Sequence, residues 1–179
     1  MRTRRPLFVL AALGLFAAAC SGGGDITDSG DKATTPEVAK AMKGLRNVED
    51  LGERMRMLVA DEGPAGRFAW KVLARGLSYS ARRVGEISDD VAAIDDAMRW
   101  GYNWELGPFE TWDALGFAAT YDRMVADGLA LPASVTAMRE KGIARFYRED
   151  GAVWDLAKGE YAARATDPRT LPYAVVRKG

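Results

Sequence analysis

The sequence predicts a mainly α domain closed by a small C-terminal β-hairpin. Three observations predict it. Apolar residues recur at helical spacing through most of the chain. Between residues 108 and 142 glycine closes three successive segments, and proline opens two of them. Asp150-Gly151, a strong hairpin dipeptide, lies between two short apolar runs in ARFYREDGAVWDLAKGEY.

Taken in order, the chain opens MRTRRPLFVLAALGLFAAACSGGGD. Arg2, Arg4 and Arg5 form a basic start, and Pro6 to Ala19 a nearly pure apolar run. This is the layout of a secretory signal. As a helix the run rises about 20 Å, short of the roughly 30 Å hydrocarbon core, so it makes a poor permanent span. Residues 1–19 are therefore expected to be a signal peptide. The end, FAAAC, resembles a bacterial lipobox, with Ala17 where Leu is usual. That resemblance implies lipidation of Cys20, anchoring to a membrane and a place in the cell envelope; without a working signal the expectation is cytoplasmic. Residues 20–34, rich in Gly, Ser, Thr and Asp, read as a flexible tether.

Residues 35–162 are expected to form the helical domain. Thr35-Pro36 is a helix start for PEVAKAMKGL. Val48, Leu51, Met55, Leu58 and Val59 share one face of the next helix. After the GPAG break at 63–66, a long helix is expected to bury Phe68, Val72, Leu73 and Leu77. Ser88 reads as the N-cap of a helix that buries Val91, Ile94 and Met98 and ends at Gly101. Short helices follow over 108–116, 117–126 and 132–141, each closed by a glycine. Residues 163–179, with Pro168 and Pro172, read as an extended tail.

Composition excludes several functions. Lys+Arg and Asp+Glu both number 25, so the chain has no electrostatic footprint of a nucleic-acid binder. It has no histidine, which removes His-dependent triads and most zinc sites from this chain. One cysteine forms no internal disulfide. Neither catalytic nor metal-ligating residues are assigned.

The densest feature is RWGYNWELGPFETWDALG, residues 99–116. Trp100, Tyr102, Trp104, Phe109 and Trp112 each bring about 150–250 Å² of ring surface to one turn. Such a turn is expected to pack as a corner between two helices. The alternative is that Trp100, Tyr102, Trp104, Pro108, Phe109 and Trp112 wall a groove for an acyl chain or a partner. Glu105, Glu110 and Asp113 lie among the rings; paired carboxylates can do acid–base work, but a structural role is expected, since Glu110 lies in a helix's first turn, where acids are favoured in any case.

IDDAMRWGYNWELGPFETWDALG resembles the C-terminal helical domain of the 3-hydroxyacyl-CoA dehydrogenases. That family carries D-x-A-M-x-x-G…G-P-F-E-x-x-D-x-x-G. Here the pattern is met by Asp95 or Asp96, Ala97, Met98, Gly101, Gly107, Pro108, Phe109, Glu110, Asp113 and Gly116. WELGPFE, with the flanking KATTPEVAKAMKGL and RFYREDGAVWDL, is similar to the second copy of this domain in large bacterial proteins fused to an enoyl-CoA hydratase. The similarity runs over about residues 32–162. It implies a relation to fatty acid β-oxidation, in which hydride passes between NAD and a 3-hydroxyacyl-CoA. In the family NAD lies on a Rossmann domain with GxGxxG, a histidine paired with a glutamate takes the hydroxyl proton, and an asparagine from G-F-x-x-N-R positions substrate. This sequence has no GxGxxG after a strand and no histidine, and it runs GRFAWK where that asparagine would fall, with Lys71 near its position. The resemblance therefore implies a packing or docking module, inactive alone and holding no cofactor. Its implied partner is a dehydrogenase catalytic domain or a second copy of itself.

Overall fold

The computed structural model describes residues 43–45 and 47–164. The signal run, Cys20, the tether, the helix start at Thr35-Pro36 and the tail from residue 165 lie outside the described residues. Residues 43–45 are helical, and Leu45 is buried. Six helices and a hairpin follow: α1 (Leu51–Ala60), α2 (Pro64–Arg83), α3 (Val91–Tyr102), α4 (Pro108–Leu115), α5 (Phe117–Ala126), α6 (Ala133–Glu140), β1 (Ala152–Asp155) and β2 (Glu160–Ala163). The expected mainly α fold with a C-terminal hairpin is what the chain adopts.

Helix α4 is central. Helices α1, α2, α3 and α5 all pack against it, while α3 also meets β1. Its start follows from sequence: Gly107 is the N-cap, Pro108 takes the first helical position, and the Glu110 carboxylate accepts the Gly107 N–H at 2.8 Å. Gly116, at φ 92°, lets the chain leave α4 and enter α5 at once.

Four boundaries or faces differ from the sequence reading. On α2 the buried face is Ala69, Trp70, Ala74, Leu77, Ser78 and Ala81, whereas Phe68 is 49% exposed and Val72 and Leu73 are half-buried. Alanines, which carry little apolar signal, form the close-packed stripe, and the larger Phe68 lies outside it. On α3 the N-cap is Asp90, whose side chain accepts the Ala92 N–H; Ser88 instead accepts the Asp90 N–H one step earlier. The same helix ends at Asn103, at φ 55°, so Gly101 is an exposed helical residue. Asparagine tolerates the left-handed region through its short polar side chain.

At the C-terminal end, Asp150-Gly151 does turn the chain, but between Phe146–Arg148 and β1. The Trp154 N–H donates to the Phe146 carbonyl and the Arg148 N–H to the Ala152 carbonyl. The regular hairpin is the next one, β1 against β2, in register Ala152↔Ala163 to Asp155↔Glu160. Asp155 caps its turn by accepting the Ala157 and Lys158 amides.

Candidate functional site

The aromatic corner divides in two at Gly107. Before it, Trp100 is 73% and Tyr102 68% exposed. Trp104 is half-buried, its ring 6.1 Å from that of Tyr102. After Gly107, Pro108, Phe109 and Trp112 are buried. Phe109 and Trp112 join Phe117 and Phe146 in one cluster: Phe109–Phe146 centroids lie 5.0 Å apart, Phe117–Phe146 5.3 Å, Trp112–Phe146 5.5 Å and Trp112–Phe117 5.5 Å. Edge-to-face and tilted pairs of this kind add to area burial. The six residues named in the alternative reading as one groove wall are therefore two groups, and the packed corner expected of the whole turn is formed by the second group alone. Pro108, Phe109 and Trp112 are enclosed in the core and present no face to a ligand. Trp100, Tyr102 and Trp104 lie at the surface.

Two of the acids among the rings, Glu110 and Asp113, and Asp95 beside them hold backbone, while Glu105 is exposed. Asp95 is fully buried on α3. Its Oδ1 accepts the Phe109 N–H at 2.8 Å, and its Oδ2 accepts the Glu110 N–H at 2.9 Å and the Tyr147 hydroxyl at 2.7 Å. It thus supplies the cap that Gly107 lacks, satisfying two of the orphan amides at the start of α4 from a neighbouring helix. Asp113 on α4 accepts the Phe146 and Tyr147 amides, each at 2.8 Å. Tyr147 is clamped at both ends, its amide by Asp113 and its phenol by Asp95. Glu110 takes the Gly107 N–H and, at 2.9 Å, the Arg99 guanidinium. Asp96, next to Asp95, faces outward and is bridged at both oxygens by Arg164. Of the two residues that could open the sequence pattern, Asp95 is the one that does structural work.

Burial pushes the Asp95 carboxyl up to about 7, against the hydrogen bonds from Phe109, Tyr147 and Glu110 that favour its charge. Burial likewise pushes Asp113 up to about 6, against the Phe146 and Tyr147 amides. Burial and the neighbouring Asp95 charge raise the Tyr147 phenol.

Gly107 is required by this arrangement. A Cβ there would lie 2.4 Å from both Cα and Cβ of Asp95, inside backbone contact distance. Sequence reading assigned Gly107 to the pattern but missed the partners of the site: Asp95 as a buried cap, Tyr147 as its bridge, and Phe146 as the ring that fills the cluster. A signal for Asp95 was present. It follows Val91 by four residues, on the buried side of α3, where an unpaired acid would be costly.

Chemically, these carboxylates act as hydrogen-bond acceptors for fixed donors. Two surface depressions, one lined by Arg145, Arg148, Glu149 and Asp150 and the other running from Asp89 past Trp154 to Arg164, include none of Asp95, Glu110 and Asp113. Among the described residues no group of three or more Cys, Asp or Glu is placed to hold a metal ion. The strands described form one two-stranded antiparallel sheet. Lys71 is exposed on α2.

A helical body pinned by buried carboxylates is the class that fold and site define. The chain is 40% identical over 133 residues to a probable 3-hydroxyacyl-CoA dehydrogenase of Bacillus subtilis (strain 168). The match takes in 74% of this chain and 16% of the relative, so the chain spans about one-sixth of that protein's length. Identity at this level over such a stretch makes the chain homologous to part of a 3-hydroxyacyl-CoA dehydrogenase. No protein-family model matches it, and no solved structure does.

Proposed function

We propose that this chain is a module of the fatty acid β-oxidation dehydrogenase lineage that does no hydride transfer by itself and serves to pack or dock. It corresponds, on this reading, to the second copy of the C-terminal helical domain in the large fused enzymes. The observation that carries the proposal is the saturation of Asp95, Glu110 and Asp113 by amides, Tyr147 and Arg99, in a segment related to a dehydrogenase over 133 residues. The acids in the shared segment are engaged by donors of the fold itself, so their oxygens are directed at backbone, Tyr147 and Arg99 and not at an open site. A docking role takes its partner as a catalytic dehydrogenase domain or a second copy. The test is direct. The purified chain is expected to oxidise no NADH with acetoacetyl-CoA and to bind no NAD by calorimetry. Turnover, or a saturable NAD isotherm, would sink the reading.

A second reading is favoured by the run from Arg2 to Cys20. Here the chain is a lipoprotein anchored through acylated Cys20, with the helical body presented at a membrane to a partner or an acyl ligand. Cell fractionation with mass measurement of the N-terminus separates the two: an acylated Cys20 in the envelope removes the β-oxidation role, and an unprocessed cytoplasmic chain removes the anchor.

A further inference from the structure

Helix α2 carries a second face that the other described residues leave largely uncovered. Its 20 residues include Arg67, Lys71, Arg75, Arg82 and Arg83 and no acid, in a chain whose net charge is zero. At about 100° per residue, Trp70, Ala74, Leu77 and Ala81 point to the core. Phe68, Val72 and Tyr79 fall on the opposite side, with Lys71, Arg75 and Arg82 along one flank and Arg83 along the other. Exposure agrees: Phe68 is 49% and Tyr79 54% exposed, and Lys71, Arg75 and Arg82 are exposed as well. Arg83 packs its guanidinium 5.0 Å from the centre of the Tyr79 ring and pairs with Glu86. Among the described residues, Lys71, Arg75 and Arg82 meet no carboxylate within ion-pair distance. The stripe from Phe68 to Arg82 is roughly 20 Å long. A Cβ added at Gly76, beside the stripe, would meet nothing within 4 Å.

We infer that this α2 face docks on an anionic phospholipid surface, the aromatic rings entering the headgroup layer and Lys71, Arg75 and Arg82 meeting phosphate. An apolar strip flanked by cations is the arrangement of a helix lying in the plane of an interface. Unopposed positive charge complements anionic lipid. No helix among the described residues is long and apolar enough to cross a membrane. The inference deepens the membrane-anchored reading but stands apart from acylation. A lipid on Cys20 would deliver the body to the bilayer, whereas α2 would set its orientation there.

The experiment uses the full chain carrying Cys20→Ser, so that no acyl chain contributes. Partitioning is measured onto vesicles of phosphatidylglycerol mixed with phosphatidylcholine and onto phosphatidylcholine alone; Arg2, Arg4 and Arg5 favour the anionic vesicles in every chain alike, so the contribution of α2 is read as the difference between the parent and its variants. The anionic vesicles are expected to bind more tightly, with the preference falling as salt rises. Lys71→Gln/Arg75→Gln/Arg82→Gln is expected to lower the preference by on the order of a hundredfold, and each single change by about fivefold. Phe68→Ser/Tyr79→Ser is expected to weaken binding to both vesicles. Circular dichroism melts of each variant should match the parent, since all five side chains face outward; should the triple variant melt early, the single variants decide. Equal binding to the two vesicles, or a preference that survives the charge changes, would overturn the inference. So would a dimer in light scattering that Phe68→Ser/Tyr79→Ser abolishes in a chain without vesicle preference, because the face would then belong to a second copy. Failure of acylation at Cys20, read by mass in the parent chain, would leave this result intact.

Discussion

Residues 100–104 and 108–112 carry similar aromatic content on either side of Gly107, yet one arm is solvent-facing and the other enclosed. Trp100 and Tyr102 stand out from the end of α3, where Asn103 turns the chain. Phe109 and Trp112 enter the space between α3, α5 and the Phe146 segment, where rings from three parts of the chain already meet. The difference lies in neighbours and not in residue type. A ring adds to stability only where other elements close around it, and here closure is arranged by Asp95 and Asp113, which draw α4 and Tyr147 together.

The largest effect should come from breaking the enclosed arm. Trp112→Ala or Phe109→Ala is expected to cost about 3–5 kcal/mol, read by denaturant unfolding. Next, Asp95→Asn should cost about 2–4 kcal/mol, because an amide cannot accept from Phe109, Glu110 and Tyr147 together and turns a donor toward donors. Tyr147→Phe, which removes one of those three partners, should cost about 1–2 kcal/mol.

The buried acids also set a pH dependence that sharpens the comparison. The folded-state values of Asp95, about 7, and Asp113, about 6, lie above the unfolded carboxylate value of about 3.9. The folded form then binds more protons than the unfolded chain between roughly pH 4 and 7, so stability falls as pH rises through that window. Unfolding midpoints should therefore be higher at pH 5 than at pH 8, and Asp95→Asn should flatten the profile. A chain that is more stable at pH 8, with no change of slope in the variant, would show the two acids to be unimportant to linkage.

Gly107→Ala is expected to cost about 1–3 kcal/mol, since α3 and α4 must part to admit a methyl against Asp95. The smallest effect belongs to the exposed arm: Trp100→Ser and Tyr102→Ser should each stay within about 0.5 kcal/mol. A loss comparable to that of Trp112→Ala would mean that the two arms form one packed corner after all.

Much of the fold was legible in the residues. Pro108, Gly116, Gly128 and Gly142 mark helix limits close to where they fall, because proline's fixed φ and glycine's access to positive φ are local properties. The face of α2 was not. The apolar period there admits two stripes, and the small-residue stripe of Trp70, Ala74, Leu77 and Ala81 took the core because helices approach more closely over alanine. The site was half legible. Glu110 was placed at a helix start, and it and Asp113 were read as structural; the third acid, Asp95, and its bridge to Tyr147 were not, since they join positions 52 residues apart.

By itself the sequence determined the class of fold, the helix limits that proline and glycine impose, the lack of histidine and the likeness to a dehydrogenase segment. These depend on single residues or short spacings. Tertiary structure alone decided which aromatic rings are covered, which of two neighbouring aspartates is buried, and which acids are spent on backbone amides. Burial and capping across elements are properties of the neighbours that folding brings together, and no local pattern records those.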